Sequence, residues 1–194
     1  MLIEAIVFSL IIGLIRGGKL KKMKAVNSKT IWLLIFGILM QYILVFLNQT
    51  EAIGSLSEIL SYTKEILIIS YILILIGIFT NLKFRSLWLS LIGFILNLFV
   101  LVSNNWKIPI LTEGINLIDS PNLENLLEAG NTYLYTPIID GTKYPILGDI
   151  IVFSKPYPMA KIISFGDLLI SFGIFLLIQE ILLGEDYFMG GYRL

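Results

Sequence analysis

The chain has no cysteine and no histidine. Disulfides, thiolate nucleophiles, Cys/His zinc sites and Ser-His or Cys-His pairs are therefore excluded. The absence of cysteine carries no information about redox compartment, since a membrane bundle needs no covalent staples. Charge is scarce as well. Only 14% of residues are charged, against about 25% in an ordinary globular domain. Lys plus Arg and Asp plus Glu number 14 each, so no net charge points to nucleic acid or to an acidic partner. The chemistry left to the chain is that of carboxylates, amides, hydroxyls, lysines and arginines.

What is abundant is grease. Hydrophobic residues make up 57% of the 194 residues, and mean hydropathy is +0.88. A soluble protein this apolar could not cover its own surface. The expectation is an all-α membrane protein in a single membrane domain, 1–194.

Apolar stretches run from Leu2 to Ile15, Ile31 to Leu47, Ile66 to Thr80, Leu87 to Ser103 and Ile162 to Leu183. A helix needs about 20 apolar residues to cross the hydrocarbon core. The first stretch is short, but Arg16 can snorkel and let its helix continue toward Leu20. The expected spans are 2–20, 30–48, 65–81, 86–103 and 162–183. The first is read as retained, because its acid (Glu4) precedes the apolar run and its positive charge (Arg16, Lys19) follows it. A signal peptide has the reverse order.

Positive charge sets the direction. The first connection holds Arg16, Lys19, Lys21, Lys22, Lys24 and Lys29 and no acid, and the third holds Lys83 and Arg85. Both are expected on the cytoplasmic side. The second, around Glu51 and Glu58, is acidic and falls outside, as does the long stretch 104–161. The N-terminus is then outside and the tail 184–194 inside. The six positives of the first connection could touch anionic lipid heads, but setting topology is explanation enough.

The second and fourth stretches share a pattern. Trp32-Leu33, Gly37 and Gln41 match Trp88-Leu89, Gly93 and Asn97 at the same offsets. A Gly and an amide four apart share a helix face, which lets a neighbour approach closely and offers it a hydrogen bond. Two tandem hairpins with a common polar seam, or chance in Leu/Ile-rich sequence, both explain it.

Stretch 104–161 is too long for a bare connection and too aromatic for disorder. Ser120-Pro121, then Leu123, Leu126 and Leu127, closed by Gly130, predict a short helix whose leucines lie on the membrane or on the bundle. Asp140-Gly141 predicts a tight turn. The segment is expected to fold as a partly structured lid over the outer end of the bundle.

Polar residues at membrane depth are costly, so each is a candidate site residue. Glu4, Gln41, Asn97, Asn104 and Asp167 all fall on the outer side, where the lid lies. They are the expected ligand-binding candidates. Asp167 has a simpler explanation too, as a cap at the start of the last helix. The acids of the lid match no calcium loop, and no metal or cofactor is expected.

The motifs Arg16-Gly17-Gly18-Lys19-Leu20, Asn104-Asn105-Trp106-Lys107-Ile108-Pro109, Leu147-Gly148-Asp149-Ile150 and Ser164-Phe165-Gly166-Asp167 resemble, in order, the R-G-G-R-L, N-G-G-R-M-P, L-G-D and S-x-G-D patterns of DUF5317, a bacterial family of small integral membrane proteins. Lys19 replaces an arginine, and Asn105-Trp106-Lys107-Ile108 replaces Gly-Gly-Arg-Met, so no need for a glycine pair is legible there. The resemblance implies a multi-pass protein of the bacterial cytoplasmic membrane and no particular activity.

Three functions compete. The first is binding of a small molecule, a lipid or a membrane-protein partner at the outer face, with the bilayer as solvent and no nucleic acid. The second is a membrane-embedded aspartyl-type hydrolase, in which two carboxylates share a proton: Asp167 with Asp149 or Asp140. Gly166-Asp167 looks like the second aspartate segment of lipoprotein signal peptidases, but Asn116-Leu117-Ile118-Asp119 lacks the surroundings of the first. The third is a small transporter, against which stand the odd span number and the absence of an inverted repeat.

Overall fold

The structure, a computed structural model, describes residues 1–25, 30–49, 58–118, 121–128, 130 and 132–184. It is mostly helical. In chain order come α1 (Leu2–Ile15), α2 (Lys21–Ala25), α3 (Ile31–Gln49), α4 (Thr63–Phe79) and α5 (Leu87–Ser103). Then follow β1 (Ile108–Ile110), α6 (Thr112–Leu117), α7 (Pro121–Glu128), β2 (Tyr135–Pro137), a 3-10 turn (Pro145–Leu147), β3 (Ile151–Phe153), β4 (Lys161–Ile163) and α8 (Phe165–Leu183).

The long helices alternate in direction along the chain. Gly37 of α3 meets Ser70 and Ile74 of α4, and Leu34 meets Gly77, so this pair is antiparallel. Gly93 of α5 meets Ile170 of α8, and Ser90 meets Gly173, another antiparallel pair. α1 lies parallel to α8: Ser9 donates to the Phe175 carbonyl (2.7 Å) and Gly13 sits against Leu182. α8 thus packs between α1 and α5, α3 packs on α4, and α4 meets α5 more sparingly. α1 and α3 do not pack along each other. The bundle is a ring left open between them.

The bundle is apolar outside as well as inside, with small and polar side chains at its helix contacts. Ser9, Ser70, Ser90 and Gln179 are fully buried. Phe8, Phe36, Ile72, Ile92 and Phe172 are each about half exposed or more. Small and polar side chains let backbones approach and bond, and bulky apolar ones face out, the arrangement of helices packed in an apolar solvent. Among the described residues, α3 (over Ile31–Asn48) and α8 are long and apolar enough to cross a membrane. Nineteen residues of α8 at 1.5 Å each reach about 28 Å.

The first helix is shorter than the expected span 2–20. It ends at Ile15 in a Schellman motif: Gly18 N–H donates to the Gly13 carbonyl (2.8 Å), Gly17 N–H to Leu14 (3.0 Å), and Gly17 takes φ +83°. The Arg-Gly-Gly-Lys-Leu segment is therefore a helix stop. It also closes the end of α8, whose last carbonyls accept from Lys19 N–H (Leu182, 3.2 Å) and Lys22 Nζ (Leu183, 2.6 Å).

The lid is more than helix and loop. β1 and β2 pair in parallel, Ile108 opposite Tyr135, and β3 and β4 pair antiparallel, Ile151 opposite Ile163. Strands this short carry no readable alternation. α7 forms where Pro121 to Gly130 predict it, with Gly130 at φ +68°; Ser120, its expected cap, lies outside the described residues. Leu123 and Leu127 are buried, so the apolar edge of α7 lies on the bundle. Asp140-Gly141 makes the expected turn, with Thr142 N–H donating to the Ile139 carbonyl (3.0 Å).

Candidate functional site

The repeat read from sequence is used twice in the same way. In each antiparallel pair the glycine admits the partner backbone and the amide one turn nearer the lid bonds a side chain of the partner helix or its cap. Gln41 Nε2 donates to Ser70 Oγ (3.2 Å). Asn97 Nδ2 donates to Asp167 Oδ1 (2.8 Å), and Asn97 Oδ1 accepts from Ser164 Oγ (2.9 Å).

Asp167 completes a capping box. Ser164 caps α8 by accepting from Asp167 N–H (3.0 Å), and Asp167 Oδ2 accepts from Ser164 N–H (3.2 Å). A Cβ at Gly166 would overlap the Asn97 amide, so glycine at this position sets the approach of α5 to α8. The capping role and the cavity-facing role of Asp167 belong to one arrangement.

Asp149 arrives from the lid. Its N–H donates to the Pro109 carbonyl (2.8 Å), its own carbonyl accepts from Leu111 N–H (2.9 Å), and a Cβ at Gly148 would strike Pro109. These bonds aim the carboxyl inward. Asp149 is 8% exposed, and among the described residues no hydrogen bond reaches its side-chain oxygens. Burial, and then the neighbouring Asp167, push its pKa well above the usual carboxylate range. No hydrogen bond joins the two carboxyls.

Between the open ring and the lid lies a cavity of about 560 Å³. Glu4, Gln41, Asn97, Asp149 and Asp167 all line it. Four of the five expected binding residues converge there, together with one of the two acids proposed to partner Asp167. Glu4 sits at the rim, paired with Lys161 and accepting from the Tyr157 hydroxyl (3.2 Å). Asn104 does not line it. Its amide ties the end of α5 to the lid, donating to the Val100 and Lys143 carbonyls (2.9 Å each) and accepting from Lys143 N–H (3.0 Å). Asp140 is exposed on its turn beside a separate cleft. A tight turn projects from the lid, so the same Asp-Gly signal that predicted it argues against a buried role.

Sequence reasoning missed the aromatic lining. Tyr42, Tyr71, Phe94 and Tyr135 face the cavity, and Tyr71 meets Phe94 edge-on at 6.3 Å. Burial raises the Tyr135 pKa, with Asp149 adding to it. Tyrosine near mid-span in α4 was the available signal. It also missed the seam at the end of the bundle away from the lid, where Gln179 Nε2 donates to the Ser9 carbonyl (2.5 Å) and Gln179 Oε1 accepts from Arg16 (3.2 Å).

Three of the four sequence motifs thus meet at one place: Pro109 orients Asp149, and Gly148 and Gly166 clear the space around them. The family model described as DUF5317, a family of unknown function, matches residues 25–179. The chain belongs to the DUF5317 family. The match takes in those three motifs, and the Arg16 to Leu20 segment precedes it. No curated protein and no solved structure matches the chain. The fold also gives the DUF5317 glycine pair a reason. Asn105 and Trp106, which stand where the family pattern has Gly-Gly, take φ +55° and +64°. The left-handed conformation is required there after all, and this chain holds it with asparagine and a half-buried tryptophan.

Proposed function

We propose that this DUF5317 protein spans the bacterial cytoplasmic membrane five times, with its N-terminus outside, and binds a small ligand in the cavity beneath its outer lid. The single observation that carries the reading is the convergence of Gln41, Asn97, Asp149 and Asp167, from four separate parts of the chain, on one cavity. Side chains that serve only as helix glue have no reason to line one cavity of ligand size. The alternating helices and their apolar outer faces support the five spans. The basic residues of the first and third connections support the orientation.

The cavity is confined to the lid end. Its lining reaches no further along α1 than Glu4, along α4 than Tyr71 and along α8 than Ser171. Beyond it the bundle is packed, Leu34 on Gly77 and Ser90 on Gly173. A volume closed at its inner end favours binding over transport.

Native mass spectrometry of the protein extracted in mild detergent tests this. A bound molecule is expected on the wild type and lost from Val45→Trp, which fills the cavity from α3. A wild type with no bound molecule overturns the reading.

The two carboxylates support a second reading, aspartyl-type hydrolysis with Asp149 as the acid and Asp167 as the base. Asp140 has no place in it. Both Asp167 oxygens already accept hydrogen bonds from Asn97 and Ser164, which favours binding. A statine-containing peptide, mimicking the tetrahedral intermediate, should raise the melting temperature of the wild type and not of Asp149→Asn if this second reading holds.

A further inference from the structure

Resting on the binding reading, the chemistry of the cavity narrows its ligand. Among the lining groups stand three carboxylates, Glu4, Asp149 and Asp167, and two ammoniums, Lys161 and the Met1 N-terminus. Both ammoniums are held by Glu4 at the rim. The interior is left with two acids and no cation. Asp167 accepts from Asn97 and from the Ser164 backbone, but Asp149, 8% exposed, has no side-chain donor among the described residues. A carboxyl that lines the cavity without a protein donor leaves its oxygens free for the N–H groups of a ligand.

The apolar part of the lining is of another kind. Ile38, Val45, Phe46, Leu67, Phe94 and Ile170 line it, an apolar slot that suits a hydrocarbon chain. Tyr42, Tyr71 and Tyr135 lie on the lining as well, and aromatic faces attract a cation. The slot meets the surface where the ring is open. α1 and α3 contribute lining from both sides and touch where the Tyr42 hydroxyl faces the Leu2 backbone, without packing along each other. The flanks of that gap carry exposed Ile3, Val7, Leu39 and Phe46, an edge that faces lipid.

We propose that the cavity takes a membrane amphiphile with an N–H-bearing ammonium head, which passes sideways between α1 and α3 and seats its head on Asp149 and its chain along α3. The head forms a charge-assisted hydrogen bond to the otherwise unpartnered carboxylate, and the chain stays in apolar surroundings throughout.

Dodecylamine is the probe, titrated against the detergent-purified protein with thermal unfolding as readout. Dodecanol keeps the chain and removes the charge. Dodecyltrimethylammonium keeps the charge and removes the N–H. Ethylamine keeps the head and removes the chain, and so stands for a ligand taken from water. Dodecylamine is expected to bind at least about tenfold more tightly than each of the other three, the scale of one charge-assisted hydrogen bond. Asp149→Asn should erase that preference, and Asp140→Asn, on the lid turn, should keep it. Val45→Trp, which leaves both acids in place, should abolish binding of the amine.

Equal binding of dodecanol or dodecyltrimethylammonium, or undiminished dodecylamine binding by Asp149→Asn, overturns the ligand class and leaves the binding reading standing. Equal binding of ethylamine overturns passage from the membrane. If no amphiphile shifts the protein while mass spectrometry finds another molecule in the cavity, only this inference fails. If neither finds a ligand, the underlying reading fails too.

Discussion

Asp149 is the residue whose surroundings differ most from those of an ordinary carboxylate. Burial and the charge of Asp167 raise its folded pKa, while the unfolded chain keeps a value of about 3.9. Between the two values the folded protein holds a proton that the unfolded chain has released. Its stability therefore falls as pH rises from about 4 through the folded pKa. The ionisable groups facing it are Asp167 and the hydroxyls of Tyr71 and Tyr135. Asp149→Asn is expected to remove this part of the pH slope, so that melting temperatures of mutant and wild type diverge most at the alkaline end. Parallel curves for the two proteins would contradict this. At Asn105 the argument concerns the backbone. At φ +55° a β-branched side chain is strained, so Asn105→Val should cost about 1–2 kcal/mol, while Asn105→Gly should be neutral or stabilising. Denaturation of the three proteins side by side measures it.

At the scale of elements, the helices are held by small residues and buried amides. Gly93 touches the α8 backbone so closely that a Cβ there would lie 2.9 Å from Ile170 N. Gly93→Leu must push α5 away from α8, at about 1–3 kcal/mol for overpacking, and it should loosen the Asn97–Asp167 bond with it. The expected result is a lower melting temperature together with loss of the cavity-bound molecule. Gln179 tests the parallel pair. It is fully buried and holds both Ser9 and Arg16. Gln179→Leu should cost about 0.6–2 kcal/mol, the range for an interhelical hydrogen bond in a membrane, and should leave ligand binding intact because the residue lies beyond the closed end of the cavity. Loss of binding in this variant would show that the two ends of the bundle are coupled.

At the scale of the whole molecule, the lack of cysteine makes topology easy to measure. Lys143→Cys, on the exposed lid, and Lys21→Cys, in the basic connection, each give a chain with a single thiol. In intact cells a membrane-impermeant maleimide is expected to label the first and not the second, and both after the membrane is opened. The reverse pattern would place the lid and the cavity inside. The apolar side chains of 104–161 are folded back on the rest of the molecule whichever side the lid lies on: Ile110, Ile115, Leu123 and Leu134 are all buried.

The long helices and the gathering of polar residues at the lid end could be read from the chain alone, since hydropathy and charge are local quantities. Gln41, Asn97 and Asp167 were legible because an amide or an acid in a greasy run stands out. What only the fold decided was contact in the third dimension. It chose Asp149 over Asp140 as the second acid, because strand β1 draws Leu147-Gly148-Asp149 inward while a tight turn carries Asp140 away. It moved Asn104 out of the cavity and into the tie between α5 and the lid. It turned Arg16 to Leu20 from a continued span into a helix stop, because the Gly17-Gly18 backbone closes on Gly13 and Leu14. It left the ring open between α1 and α3, because a side chain's depth can be set by its own segment, but its neighbours are set by which helices find room to pack.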